Sequence, residues 1–198
     1  MRDKITLERI NTAHPVIREE LQELYIAINN QLPKGVRLRF SHVFRSAAEQ
    51  HALYLQKPKV TNADSFQSMH NYGLAFDIVL LYDKNADGTF ETASWTIDEH
   101  WDRVVRYFKS KGYEWGGDWK SFKDKPHFEK NFGFDWKTLK SRFDKGITIT
   151  NNGITYPKIQ QAHQFQPNLL YRCLKAQISL LFQLLRWLIT YHYRLLYG

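Results

Sequence analysis

Ser68-Met69-His70-Asn71-Tyr72-Gly73-Leu74-Ala75-Phe76-Asp77 runs from a polar loop into an apolar strand, and the strand carries a carboxylate in its middle. From Leu74 to Leu81 the residues alternate, with Ala75, Asp77 and Val79 on one face and Phe76, Ile78 and Leu80 on the other. An unpaired carboxylate is expensive to bury at such a position. A metal ion explains it, and His70 stands at the right place to share that ion. Gly73 permits the tight or left-handed turn that folds His70 back toward Asp77.

A second segment, Asp124-Lys125-Pro126-His127-Phe128-Glu129, adds another imidazole. Pro126 holds Lys125 extended, so this spacing belongs to a turn entering a strand and not to a helical zinc motif. Asp124 then lies beside the metal without ligating it. Two imidazoles and one carboxylate leave the fourth tetrahedral position to water, the arrangement of a catalytic zinc. The one cysteine, Cys173, excludes both a disulfide framework and a cysteine-based metal site.

Around these segments the chain reads as α+β: a small central antiparallel sheet packed with helices. Residues 15 to 31 carry Val16, Ile17, Leu21, Leu24, Tyr25 and Ile28 at helical spacing, ended by Pro33-Lys34-Gly35. Val36 to Phe44 alternates as a half-buried strand. Ser46 and Glu49 form a capping box for a helix through Leu55, and residues 57 to 69 are loop-like. A helix is expected over 96 to 111, closed by Gly112. Short strands follow at Tyr113–Trp115 and Pro126–Glu129, then a helix from Asp135 to Phe143. A hairpin over Ile147–Tyr156 turns at Asn152-Gly153.

The chain has 198 residues, enough for one domain with an appendage. The expected division is a zinc domain over 1–158 and a basic, apolar helical tail over 159–198. Of the net charge of +8, six basic residues lie after Asp144 with no acidic partner, leaving the first 144 residues at only +2. Nucleic acid is therefore not an expected partner of the main domain. From Leu169 to Leu196 a narrow basic stripe recurs every three or four residues through an apolar background. That pattern fits an in-plane membrane-surface helix, a helix packed on the domain or in a dimer, or a tail foreign to the domain. Met1 to Thr6 holds no apolar run, so synthesis in the cytoplasm without a secretory signal is the expectation.

Asp83-Lys84-Asn85-Ala86-Asp87-Gly88 matches the start of an EF-hand calcium loop, with oxygen donors Asp83, Asn85 and Asp87 at positions one, three and five. Ser94 replaces the glutamate expected at position twelve. The alternative is a hairpin turned at Asp87-Gly88.

Taken together, Ser-x-His-x-x-Gly-x-Ala-x-Asp and a carboxylate three residues before a last His resemble the LAS zinc metallopeptidases. That group includes D-Ala-D-Ala carboxypeptidases and dipeptidases and shares its zinc scaffold with the hedgehog domain. Phe44-Arg45-Ser46-Ala47-Ala48-Glu49-Gln50, Trp115-Gly116-Gly117-Asp118-Trp119-Lys120-Ser121 and Asp124–Glu129 are similar to its L-alanyl-D-glutamate endopeptidase branch, which holds phage endolysins and bacterial cell-wall enzymes. The resemblance spans roughly residues 10 to 145.

It implies that His70, Asp77 and His127 hold Zn2+, that Asp124 is the general base, and that Arg45 stabilises the oxyanion. Ser68, Asp118 and Trp119 become candidate substrate contacts, and the peptidoglycan stem peptide becomes the partner, met at the cell wall. Zinc can lower the pKa of water from 15.7 to about 7, and Asp124 can pass that water's proton to the leaving amine. D-Ala-D-Ala cleavage and a non-catalytic zinc module on the same scaffold are the competing expectations. Because some related endolysins respond to calcium, the acidic loop could act as a Ca2+ switch.

Overall fold

The computed structural model describes residues 3–159. It is α+β, with an antiparallel sheet and helices, as expected. The first element, α1 (Lys4–Ile10), has no counterpart among the expected elements; Asp3 caps it by accepting from the Thr6 amide. Next come α2 (Pro15–Asn29), β1 (Val36–His42) and α3 (Ala47–Leu55), the last with the complete Ser46–Glu49 capping box. The central strand β2 (Ala75–Tyr82) is followed by β3 (Thr92–Ser94), which is too short to show a period in the sequence. Helix α4 (Glu99–Ser110) starts later than the apolar pattern suggests, because Asp98 accepts from the amides of His100 and Trp101 and sets its first turn there. The chain then forms β4 (Glu114–Trp115), β5 (His127–Glu129) and α5 (Trp136–Asp144). Strands β6 (Thr148–Asn151) and β7 (Ile154–Pro157) close the expected hairpin. At its turn Asn152 and Gly153 take φ of 50° and 74°, the left-handed pair a two-residue hairpin turn requires.

Every pairing in the main sheet is antiparallel, in the order β1-β2-β5-β4. β2 gives one edge to β1 and shares the other between β5 and β3, so it has neighbours along its whole length. One face is apolar. Leu38, Phe40, Phe76, Ile78, Leu80 and Phe128 pack there against Ile17, Leu21 and Tyr25 of α2 and Trp101, Val104 and Phe108 of α4. Phe76 stacks between Phe40 at 4.4 Å and Phe128 at 5.3 Å between ring centroids. Removing these rings from water drives the helices onto the sheet. By the two-residue alternation, Ala75 and Asp77 are left on the opposite face.

A second cluster, Met69, Tyr72, Leu74, Ala75 and Leu139, holds a 3-10 turn (Met69–Tyr72) against α5. Gly73 ends that turn at φ 66°, and a Cβ there would lie 2.6 Å from the backbone nitrogen of His14. The close approach is used: the His14 amide donates to the Gly73 carbonyl at 2.8 Å, and the His14 ring bonds the Pro157 carbonyl at 2.9 Å. The turn bearing His70 is thereby tied to α2 and to the terminal hairpin.

The expectations for the tail fall on residues 160–198, outside the described residues. Among the described residues no helix is long and apolar enough to cross a membrane.

On the β1 side, buried Asp3 accepts from Arg39 Nη2 at 2.7 Å and Nε at 3.0 Å, and from the Thr6 amide and hydroxyl. Burial pushes its carboxyl up, but the Arg39 and Thr6 bonds outweigh that and hold it below its ordinary value. A lowered folded value means stabilisation that is complete above about pH 4 and decays as pH falls through the depressed value. Asp3→Asn is expected to cost about 2–3 kcal/mol in urea unfolding at pH 7, with the gap to the parent closing in acid.

Candidate metal centre and cleft

Antiparallel register brings Asp77 of β2 directly opposite His127 of β5, so their side chains share one face of the sheet. His70 arrives from the 3-10 turn. Its position is secured by the Arg45 amide, which donates to the His70 carbonyl at 3.0 Å, and by the Asn71 side chain, which donates to the Arg45 carbonyl at 2.8 Å. Ser68 caps the same turn, its hydroxyl accepting from the His70 amide at 3.3 Å.

Three atoms converge: His70 Nε2, His127 Nδ1 and Asp77 Oδ1. Their separations are 3.1 Å (His70–Asp77), 3.2 Å (His70–His127) and 3.2 Å (His127–Asp77). The far side of each ring decides its tautomer. His70 Nδ1 donates to the Val43 carbonyl at 2.7 Å, and His127 Nε2 donates to the Glu129 carboxylate at 2.9 Å. Each neutral ring then turns a lone pair inward, toward a carboxylate oxygen that is also only an acceptor. Three lone pairs at this distance repel unless a cation lies between them. Ligand atoms of a tetrahedral zinc held at about 2.0–2.1 Å are separated by roughly 3.3 Å, close to the observed triangle. The donor set therefore fits zinc, and the three residues can hold a metal ion.

The electrostatics agree. Burial pushes the Asp77 carboxyl up, yet His70 and His127 outweigh it and keep the group well below its usual range. With no metal ion bound, a proton on Nδ1 takes its place: burial lowers His127, but donating to both Asp77 and Glu129 outweighs burial and lifts it to about 9. The pocket is built to hold positive charge.

An open cleft of about 650 Å³ surrounds the trio, lined by Arg45, Ser68, Trp119 and Asp124 and rimmed by Trp95 and Phe122. Arg45 Nη2 lies 3.3 Å from Asp77 Oδ2 and Nη1 donates to Gln50 Oε1 at 2.9 Å. Asp124 is half-buried; burial and then Asp77 push its carboxyl above the ordinary value, against the pull of His127, His70 and Arg45. The Trp119 ring sits 5.0 Å from that of His127. Asp118 does not join them: it is exposed, pairs with Lys109, and lies outside the cleft lining. The short turn after Trp115 sends neighbouring residues in different directions, so Asp118 and Trp119 part company.

Sequence reasoning assigned no role to Glu129, Gln50, Val43 or Gly116. Only Glu129 left a legible signal, since a His-x-Glu on a strand puts both side chains on one face.

Asp83 and Asp87 of the acidic loop do approach one another, joined by Glu91. Their oxygens, however, turn the chain: Asp83 accepts from the amides of Asp87 and Gly88, and Asp87 from the amide and hydroxyl of Thr89. Asn85 donates to Asp87 at 2.9 Å. The segment links β2 to its antiparallel neighbour β3, which is the hairpin alternative, and no helix follows it as an EF-hand requires. Calcium finds no support here.

Gly116 keeps the Asp124 segment in place. A Cβ at Gly116 would lie 2.4 Å from the Asp124 carbonyl oxygen and 3.1 Å from His127 Cβ, where the Asp124 amide donates to the Gly116 carbonyl at 3.0 Å. Gly116→Ala is expected to lower stability by about 1–3 kcal/mol through overpacking, measured by urea unfolding, and to weaken zinc binding in a chelator competition.

Comparison with known proteins identifies the family. Residues 61–130 match the M15 peptidase model described as D-alanyl-D-alanine carboxypeptidase. The peptidoglycan L-alanyl-D-glutamate endopeptidase CwlK of Bacillus subtilis (strain 168) is 39% identical over 128 residues, covering 59% of this chain and 72% of that protein. The L-alanyl-D-glutamate peptidase of Listeria phage A118 is 32% identical over 102 residues, covering 49% of this chain and 33% of that protein. Among solved structures, the Serratia marcescens L-Ala D-Glu endopeptidase ChiX aligns with a TM-score of 0.46 and 25% identity, over 65% of this chain and 88% of that one. With the centre's donor set and the extent of the CwlK match together, the chain belongs to the M15 family of peptidases.

Proposed function

We propose that this chain is a zinc-dependent peptidoglycan endopeptidase that hydrolyses the L-alanyl–D-glutamate bond of the stem peptide, acting at the cell wall. The observation that carries the reading is the convergence of His70 Nε2, His127 Nδ1 and Asp77 Oδ1 in an open cleft, with a carboxylate and a guanidinium beside them. Two relatives named for cleavage at L-alanyl-D-glutamate support the choice of bond.

When bound, zinc supplies a Lewis acid that polarises a carbonyl and makes water acidic near neutral pH. His70, Asp77 and His127 hold it. Asp124 lines the cleft beside the three ligands; it takes the proton of the attacking water and returns it to the leaving amine. Arg45 lines the cleft and is clamped by Gln50 and Asp77. A guanidinium held in this way faces the developing oxyanion without having to reorganise. Ser68 serves first as the cap of the His70 turn, and Trp119 supplies an apolar wall beside His127.

The D-alanyl-D-alanine carboxypeptidase description of the matching model keeps a second reading in view. Digestion of purified peptidoglycan decides between them: new D-Glu amino termini are expected, while released D-Ala would identify the carboxypeptidase. Asp124→Ala is expected to lower hydrolysis by at least about 100-fold while zinc stays bound at one equivalent by metal analysis. Undiminished cleavage in that variant would remove Asp124 from the mechanism.

A further inference from the structure

We propose that Glu129 is a positioning residue for the metal centre, setting the orientation and basicity of His127. The inference rests on the reading of His70, Asp77 and His127 as metal ligands. On β5 the side chains alternate: Phe128 enters the core, and His127 and Glu129 share the opposite face. Glu129 lies opposite Ala75 in the register, one pair along from Asp77 and His127. The small side chain of Ala75 leaves space beside it.

Glu129 is largely buried, at 13% side-chain exposure, and His127 is its one ion-pair partner among the described residues. The nearby cation, Lys130, is taken by Glu20 at 2.8 Å. A carboxylate so placed is costly unless it serves a donor, and the donor it serves is His127 Nε2–H at 2.9 Å. That bond makes Nδ1 the acceptor nitrogen and points it at Asp77 and His70. His70 receives the same service from the Val43 carbonyl, which is neutral. The two imidazoles are thus unequal: a charged partner makes His127 the more strongly donating of the pair. Removing a partner of this kind from a metal-binding histidine commonly weakens metal affinity by about 10- to 100-fold.

The test measures zinc affinity of the full chain by chelator competition, with the absorption spectrum of the cobalt-loaded protein reporting coordination. Glu129→Ala is expected to weaken zinc binding about 10- to 100-fold and to alter the cobalt bands. Glu129→Gln, which keeps an acceptor but not the charge, is expected to fall between Ala and the parent. Parent-like affinity and spectrum in both variants would overturn the proposal. If Glu129→Ala lacks a cooperative melt, the isosteric Gln variant alone decides, and parent-like zinc affinity in it overturns the proposal. Failure of the parent chain to bind zinc would instead strike the metal reading of the whole centre, which separates the two outcomes.

Discussion

Three lone pairs that face one another across 3.1–3.2 Å are the constraint around which this molecule is organised. Without a proton or a metal ion among them nothing in their own chemistry holds them there, because acceptors repel acceptors. The scaffold does it, through the β2–β5 register for Asp77 and His127 and through the braced 3-10 turn for His70. Each contribution traces to an apolar or backbone interaction on the far side. Phe76 and Phe128 stack in the core, which clamps the strands that bear Asp77 and His127 between and beside them. The site is thus the polar reverse of a hydrophobic face.

The same division explains the supporting groups. Val43 and Glu129 each take the outward N–H of an imidazole, and Gln50 takes one arm of Arg45. These contacts determine which nitrogen faces the cleft, and so which atoms can take a metal ion. The glycines act by absence. Gly73 lets the His14 backbone approach the turn, and Gly116 lets Asp124 and His127 approach the end of β4. Side chains at either place would displace the reactive groups from their partners.

Much of the fold was legible because its signals are local. The Ser46–Glu49 box, the Asn152-Gly153 turn and the alternation of β2 each rest on residues within a few positions of one another. Elements that were missed lack such a signal. β3 has three residues and owes its existence to the free edge of β2. α1 is a seven-residue helix whose capping Asp3 is completed by Arg39, 36 positions away. The acidic loop carries a local signal with two readings. Its oxygens stand at calcium spacing, but the same Asx chemistry that suits a cation also turns a hairpin, and the pairing of β2 with β3 selects the hairpin.

By itself the sequence singled out the side chains that the proposed chemistry would use: a buried aspartate in an apolar strand, two histidines at turn-to-strand boundaries, and one arginine ahead of a capped helix. The aspartate stands out because burying its charge is costly, whereas the role of the arginine is what the family resemblance implies. Tertiary structure decided how those groups are used. It chose the nitrogen each histidine presents, gave Arg45 to Gln50 and Asp77, and turned Asp118 outward to Lys109 while leaving Trp119 beside the cleft. Those outcomes depend on hydrogen-bond partners distant in the chain, such as Val43 for His70 and Lys109 for Asp118, and no local pattern of residues encodes which of them will meet.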